Sequence, residues 1–221
     1  MEQKITPNIA RSLFTIHAVI TRGLQVSLEY TGKIQSDPQL GNQYRAGFAD
    51  YVHSLASVLH SHHLVEDDLT FPYLRDKLPD APYDLIASQH QEMIPFIEEL
   101  EKSIESWKTG NDVELEKMQS FLKSINDLWH PHIQLEEEFF TIEKLDGCIP
   151  PDEQMEKIKE AAAHSQKNSG PPFLVIPFIL FNLPEPARSG MKKAMPSEVV
   201  EQLVPVTWKQ NWEPMQPFLL N

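Results

Sequence analysis

The fold of this chain is decided by two stretches of sequence, HHLVEDDLTFP at residues 62–72 and HIQLEEEFF at residues 132–140. In each stretch a histidine is followed four residues later by a glutamate, so the two side chains share one helix face. The two pairs are His62 with Glu66 and His132 with Glu136. Upstream, apolar residues continue each face at spacings of three and four: Phe48, Val52, Leu55 and Leu59 before the first pair, and Met118, Phe121, Ile125 and Leu128 before the second. This spacing predicts two long helices whose core-facing side includes an imidazole and a carboxylate.

Two more helices are predicted, and each carries one histidine on its apolar face. His17 shares a face of the first predicted helix with Leu13, Ile20 and Leu24, and His90 lies in the apolar spacing of the third helix with Ile86, Met93, Ile97, Leu100 and Ile104. Each of the four helices therefore directs a histidine to the core. The pattern predicts an all-α chain folded as an antiparallel four-helix bundle with up-down-up-down topology.

Cap and turn residues predict the bounds of these helices. The first should run from Thr6-Pro7 to about Thr31, with Gly32 as its stop, and a polar loop around Ser36-Asp37-Pro38 should follow. The second should continue to about Thr70, where Phe71-Pro72 ends or kinks it. The third should start at Pro79–Pro82 and end at Lys108, and the fourth should be capped by Asp112 and fade near Asp146-Gly147. Pro95 and Pro131 interrupt the last two, so we expect kinks or bulges there.

The last third of the chain differs in composition, so we divide the chain into a bundle domain at residues 1–148 and a C-terminal extension at 149–221. The extension should contain a helix from Pro151 to about His164, an apolar run from Phe173 to Leu183, and a short helix from Pro196 to about Gln202–Pro205. Its end is rich in large apolar side chains, namely Trp208, Trp212, Met215, Phe218, Leu219 and Leu220. Such residues are costly to leave in water, so we expect them to pack on the bundle or on a second subunit of a homodimer.

Composition narrows the class of function. The chain has 221 residues and a formal net charge of −13, which argues against binding to nucleic acid. The N-terminus lacks the pattern of a secretory signal, and the apolar run is too short to span a bilayer and contains Pro177, so we expect no membrane association. The single cysteine, Cys148, excludes an intrachain disulfide and suits a cytoplasmic location.

The four histidines and two glutamates together indicate a metal site. Burying so many polar groups without a shared purpose would cost several kcal/mol for each. The order also repeats along the chain, because a lone histidine precedes a His-x-x-x-Glu pair in each half: His17 then His62 and Glu66, and His90 then His132 and Glu136. Two such hairpins packed antiparallel would form a pseudo-twofold site for two ions, with each carboxylate able to bridge them.

The donor types limit the metal. Imidazole and carboxylate suit iron, manganese or zinc, and the lack of thiolate ligands argues against copper(I) and iron–sulfur clusters. The Glu-x-x-His pairs of the ferritin class do not occur in the sequence. A histidine-rich set therefore favours a di-iron centre that handles dioxygen over a ferroxidase.

The register on the second helix leaves one alternative. His63 and Asp67 form another i,i+4 pair, one residue out of phase with Leu55 and Leu59, so we prefer His62 and Glu66. The other histidines, His53, His60, His130 and His164, fall off the core-facing positions and are expected in solvent, although His60 or His130 could orient a ligand. The acidic runs 66–68 and 136–138 are expected to be solvated apart from one inward carboxylate each.

On these residues the chain resembles the hemerythrin-like, or HHE cation-binding, domain family. The resemblance covers roughly residues 8–145 and rests on Thr15-Ile16-His17, on the stretch at 62–72, on His90, and on the stretch at 132–140. It implies an antiparallel bundle with a non-haem di-iron site, bridged by an oxo or hydroxo group, that binds dioxygen or related small oxidants. Oxygen-carrying hemerythrins have a second histidine on the third helix, four residues after the first. Ile94 stands at that position here, so one iron would lack a protein ligand, which argues against reversible oxygen transport.

Three functional hypotheses follow. The leading one is a di-iron protein that binds dioxygen, nitric oxide or peroxide at an open coordination position. The second is a di-iron oxidase or peroxidase, with residues 208–220 shaping a substrate pocket. The third is an oxygen, iron or redox sensor in which ligand binding changes a partner contact of the extension. Zinc or manganese in place of iron, and a purely structural bundle, remain as alternatives.

Overall fold

The structure, a computed structural model, describes residues 6–220, and in this range it is helical without any β-strand. The α-helices are α1 (Ile9–Ser36), α2 (Pro38–Val65), α3 (Phe71–Arg75), α4 (Tyr83–Lys108), α5 (Glu114–Phe139), α6 (Ile142–Cys148), α7 (Pro151–Asn168), α8 (Pro172–Asn182), α9 (Ala187–Ala194) and α10 (Lys209–Trp212). Two π-helical segments, Glu66–Thr70 and Val199–Thr207, and a 3-10 segment, Glu213–Phe218, complete the chain. The prediction of an all-α fold is confirmed. None of the helices in residues 6–220 is both long and apolar enough to cross a membrane.

The four long helices pack in a cycle, because α1 contacts α2 and α5, and α4 contacts the same two helices. Their apolar faces form two separate clusters. The larger contains Leu24, Leu55, Ile97 and Ile125, and the smaller contains Leu13, Phe71, Ile86 and Phe140. On each long helix the predicted histidine lies in sequence between members of the two clusters. A polar layer therefore separates two apolar parts of the core.

Both predicted ends of the first helix are wrong. Asn8, not Thr6, caps α1, since its side-chain oxygen accepts a hydrogen bond from the backbone N–H of Arg11. Gly32 does not stop the helix, which runs on to Ser36. The break falls at Asp37, where φ is −138°, because the residue before a proline is disfavoured in the helical region. The carboxylate of Asp37 then caps α2 through the N–H of Gln39.

The other long helices differ from prediction near polar residues. Asp112 does not cap the fourth helix, because its carboxylate pairs with the guanidinium of Arg45 at 2.6 Å. That helix ends at Phe139, and Thr141 caps a new helix, α6, by accepting from the N–H of Lys144. Helical structure continues through Pro72, which falls in the first turn of α3, where its missing N–H matters least. No bulge forms at Pro95 or Pro131, whose rings lie on the exposed sides of α4 and α5.

The extension packs on the long helices of its own chain. Helix α8 contacts α1 and α2, and the segment Glu213–Phe218 contacts α2. The ring of Phe218 is buried against Tyr30, Phe48 and Tyr51, with centroid separations of 4.7, 5.2 and 5.5 Å. The helix predicted from Pro151 is present as α7. The domain boundary between residues 148 and 149 and the homodimer stay predictions.

Gly47 allows this close contact, and its replacement tests the packing of the extension. A Cβ at Gly47 would lie 1.9 Å from the carbonyl oxygen of Pro214, so Gly47→Ala must displace one backbone segment. We expect a loss of about 1–3 kcal/mol in unfolding free energy. That loss corresponds to a melting temperature roughly 2–12 °C lower.

The matched control for this variant is Gly190→Ala. Gly190 lies in α9, and nothing approaches within 4 Å of the position that its Cβ would take. We expect an unchanged or slightly higher melting temperature, because alanine is the better helix former. Equal melting temperatures for both variants in calorimetry would show that residues 213–218 do not pack on α2 in solution.

Candidate metal centre

All six predicted ligands lie in one buried cluster between the four long helices. Two groups can be distinguished, and within each the possible ligand atoms lie within 4.8 Å of one another. The first group is His17, His62, Glu66 and Glu136, and the second is Glu66, His90, His132 and Glu136. Both glutamates belong to both groups. Shared carboxylates between two sets of histidines are the arrangement that a pair of ions bridged by protein ligands requires.

The carboxylate oxygens approach histidines of both groups. Glu136 has Oε2 at 3.1 Å from Nε2 of His17, and Oε1 at 3.4 Å from Nε2 of His132. Glu66 has Oε2 at 3.4 Å from Nε2 of both His62 and His90. At metal–ligand bond lengths of about 2.1 Å, neighbouring donor atoms on one ion lie about 3 Å apart. The spacing in the cluster is therefore close to that of a ligand shell.

Three of the histidines are oriented by hydrogen bonds that their Nδ1–H groups donate. The partners are Glu137 for His17 at 2.9 Å, Asp67 for His90 at 2.9 Å, and Gln89 for His132 at 3.1 Å. A carboxylate or amide oxygen can only accept, so Nδ1–H donates. In the neutral ring the lone pair is then on Nε2, which faces the cluster. Metal-binding histidines are usually oriented in this way.

These orienting partners were missed by the sequence analysis. By sequence, Asp67 is an alternative ligand and Glu137 is expected in solvent, while His60 and His130 are the candidate orienting groups. In the structure, Asp67 lies behind His90 rather than between the groups, and His130 is exposed. His164 pairs instead with Asp68 at 3.0 Å on the surface. A signal was present in the sequence, since an acidic residue directly follows both Glu66 and Glu136.

His63 also lies in the cluster, together with His62 rather than instead of it. It is 4% exposed, and its ring stacks on that of His90 with centroids 4.1 Å apart and planes 16° apart. His63, His90 and His132 form a third group of donors within 4.8 Å of one another. The π-helical segment that follows begins at Glu66, and such local widening of a helix is frequent at functional sites.

The two buried glutamates have opposite pKa shifts in the metal-free chain. Burial raises the pKa of Glu66 well above its ordinary value, and the nearby charges of Glu136 and Asp67 raise it further. Burial would also raise the pKa of Glu136, but the neighbouring His17 and His90 outweigh it and hold this pKa well below the ordinary value. The metal-free pair therefore tends to keep one proton, which bound cations would displace.

The histidines divide according to their acidic neighbours. Burial lowers the pKa of His62 and His63 well below the ordinary value and that of His132 to about 4, and nearby imidazoles add to the shift. For His17 and His90, burial also acts to lower the pKa, but nearby carboxylates raise it overall. The first three imidazoles are thus neutral at pH 7, which is the form that binds a metal ion.

The cluster contains most of the unsatisfied polar atoms in the described part of the protein. Among residues 6–220, ten buried side-chain nitrogen and oxygen atoms have no hydrogen-bond partner. Eight of them belong to the cluster, on His17, His62, His63, Glu66 and Glu136. Each such atom costs about 1–3 kcal/mol when left unpaired. Coordination of metal ions would satisfy these atoms, so the residues present fit a metal centre.

A cavity of about 520 Å³ lies beside the cluster, between α1, α5 and the extension. His17 forms part of its wall, together with Phe14, Thr21, Ile133, Asn182 and Leu220. Since His17 also belongs to the first group of donors, the cavity approaches that group from outside.

An all-helical chain with a buried set of histidines and shared glutamates defines a helical cation-binding protein. The sequence profile of the hemerythrin family, described as the hemerythrin HHE cation binding domain, matches residues 8–142. The match covers more than half of the chain and includes every residue of the cluster, so the chain belongs to this family. No curated protein and no solved structure matches the chain significantly.

Proposed function

We propose that this protein holds two iron ions in the cluster and binds dioxygen or a related small oxidant, such as nitric oxide or peroxide, there. The observation that carries the proposal is the sharing of Glu66 and Glu136 between two sets of histidines. In this assignment His17 and His62 would hold one ion, His90 and His132 would hold the other, and Glu66 and Glu136 would be available to both. The two carboxylates would cancel part of the cationic charge in the core.

The proposed frame of the site is an antiparallel bundle with up-down-up-down topology. His17 and His90 lie near the starts of α1 and α4, whereas His62 and His132 lie near the ends of α2 and α5. The four histidines meet in one cluster although they lie alternately near the start and near the end of successive long helices. This placement favours helices that alternate in direction. At the opposite end, Arg45 near the start of α2 donates to the carbonyl of Trp107 near the end of α4, which supports the same arrangement.

The residues around the cluster have complementary roles. When bound, the iron pair supplies the electrons and the open position for the small oxidant. Three imidazoles are held in place because their Nδ1–H groups donate hydrogen bonds to Glu137, Asp67 and Gln89. Trp129 is fully buried with its ring 5.5 Å from that of His17, and its indole N–H donates to Thr21. This large apolar side chain would exclude water from the histidine rings and so slow oxidation of the iron.

Iron is the metal that this proposal favours over zinc or manganese. A histidine-rich set with two shared carboxylates suits a redox-active pair, and zinc has no redox chemistry. A cytoplasmic location, which we also propose, would keep the pair reducible. The sole cysteine, Cys148, is compatible with such a compartment.

Metal analysis and a dioxygen titration test the proposal. We expect about two irons per chain in tag-free protein purified in air, as the two sets of histidines suggest. Reduction followed by exposure to dioxygen should change the absorption spectrum in proportion to the bound iron. Protein that contains no metal, or a single zinc per chain, would overturn the di-iron proposal. An iron-loaded protein whose spectrum does not respond to dioxygen, nitric oxide or peroxide would overturn the proposal that the centre binds a small oxidant.

A second candidate function, an oxidase or peroxidase, is favoured by the cavity beside His17. The extension contributes Asn182, Pro184 and Leu220 to its wall, and its volume of about 520 Å³ lies in the range of small-molecule pockets. An enzyme would consume peroxide steadily with an added reductant. A single turnover without further consumption would favour the binding protein instead.

A further inference from the structure

We propose that His63 is a seventh ligand of the centre and completes a three-histidine set with His90 and His132. The inference rests on the proposed dinuclear site and adds a residue to it. It assigns three imidazoles to one ion and two, those of His17 and His62, to the other. The chain would then replace the histidine missing at Ile94 with one from a different helix.

The position of His63 carries the first part of the argument. Its ring stacks on His90 at 4.1 Å and meets the ring of His132 edge-on at 5.4 Å. Nε2 of His90 and Nε2 of His132 are 3.3 Å apart. His63, His90 and His132 each also offer one ring nitrogen that lies within 4.8 Å of those of the other two. Nitrogens bound to one ion at about 2.1 Å lie between about 3 and 4.2 Å apart. The upper limit of 4.8 Å for the three nitrogens is close to this range.

The lack of hydrogen-bond partners for His63 carries the second part. Both of its ring nitrogens are buried, and neither has a hydrogen-bond partner among the described residues. A histidine with only a packing role normally has at least one nitrogen paired, because buried polar groups are almost always hydrogen-bonded. Coordination to an ion would give one of these nitrogens a partner.

The position of Ile94 supports the proposal that His63 takes the place of a histidine missing from α4. Ile94 lies four residues after His90 on α4, is half-buried, and is not part of any of the three groups of donors. His63 reaches the His90 side of the cluster from α2 instead. The resulting asymmetry leaves the open ligand position on the half held by His17 and His62. That is also the half approached by the cavity, since His17 forms part of the cavity wall.

Two variants of His63 and one control test the proposal. His63→Phe keeps an aromatic ring but removes both nitrogens, whereas His63→Glu keeps a group that can bind an ion. The control is His60→Ala, which changes a half-buried histidine one turn earlier on α2 and outside the three groups. Each protein is titrated anaerobically with Fe(II) against a competing chelator. Co(II) is used in parallel, because its visible absorption reports the number and type of ligands.

We expect wild type and His60→Ala to bind two ions with similar affinity. His63→Phe should bind one of the two ions at least about tenfold more weakly, and His63→Glu should recover the second ion with an altered Co(II) spectrum. Two ions with unchanged affinities and spectrum in His63→Phe would overturn the role of His63 and leave the dinuclear site intact. Wild type that binds fewer than two ions would overturn the proposed site itself. If His63→Phe does not fold, His63→Glu decides, because an unchanged Co(II) spectrum in that variant would exclude coordination by residue 63.

Discussion

Replacing Glu136 by glutamine is expected to reduce the iron content from about two ions per chain to less than about one, with the helical fold retained. The carboxylate is fully buried, and its two oxygens face His17 on one side and His132 on the other. Glutamine keeps the shape of the side chain but removes the negative charge shared by both halves of the cluster. Elemental analysis after desalting, with circular dichroism to check the fold, measures the effect.

Glu138→Gln is the matched control for this variant. Glu138 is two residues further along α5, in the same acidic run, and is exposed. The control removes the same charge from the same helix, so it should retain the iron content of the wild type. Equal iron in both variants would show that Glu136 is not a bridging ligand, and equal loss would show that the overall charge of the run matters rather than its geometry.

Removal of the metal is expected to lower the melting temperature by roughly 8–16 °C. A ligand present at about a thousand times its dissociation constant stabilises the folded state by about 4 kcal/mol. For a chain of this size, each kcal/mol corresponds to about 2–4 °C. The metal-free protein also leaves eight buried polar atoms of the cluster without hydrogen bonds, which lowers its stability relative to the loaded form. Calorimetry before and after chelation, and again after iron is restored, measures the difference.

Glu136→Gln again provides the control, since chelation should change its melting temperature little. A wild-type protein whose melting temperature is unaffected by chelation and by added iron would contradict a metal bound between the four helices. A stabilisation equal in wild type and Glu136→Gln would point to a metal bound elsewhere on the chain.

The sequence was sufficient to predict the four long helices and the side chains that they direct to the core. Apolar spacing of three and four residues continues over about three to five turns, and a helix has to bury such a face. His17, His90 and the two His-x-x-x-Glu pairs lie on those faces, so their convergence followed from helix geometry. Helix ends were less predictable, because a cap depends on competition for its side chain. Asp112 could cap α5 by sequence, but Arg45 engages its carboxylate in the folded chain.

By itself, the sequence determined the all-helical fold, the family, and six buried donors, because these depend on the periodicity within single helices. Only the tertiary structure decided which residues surround those donors. His63 and Asp67 lie beside His90, and Glu137 accepts a hydrogen bond from His17. The extension forms part of the wall of the nearby cavity. Each of these contacts joins side chains from different elements, and its length depends on how closely two helices pack and how they are rotated. Spacing along one helix carries no information about those two quantities.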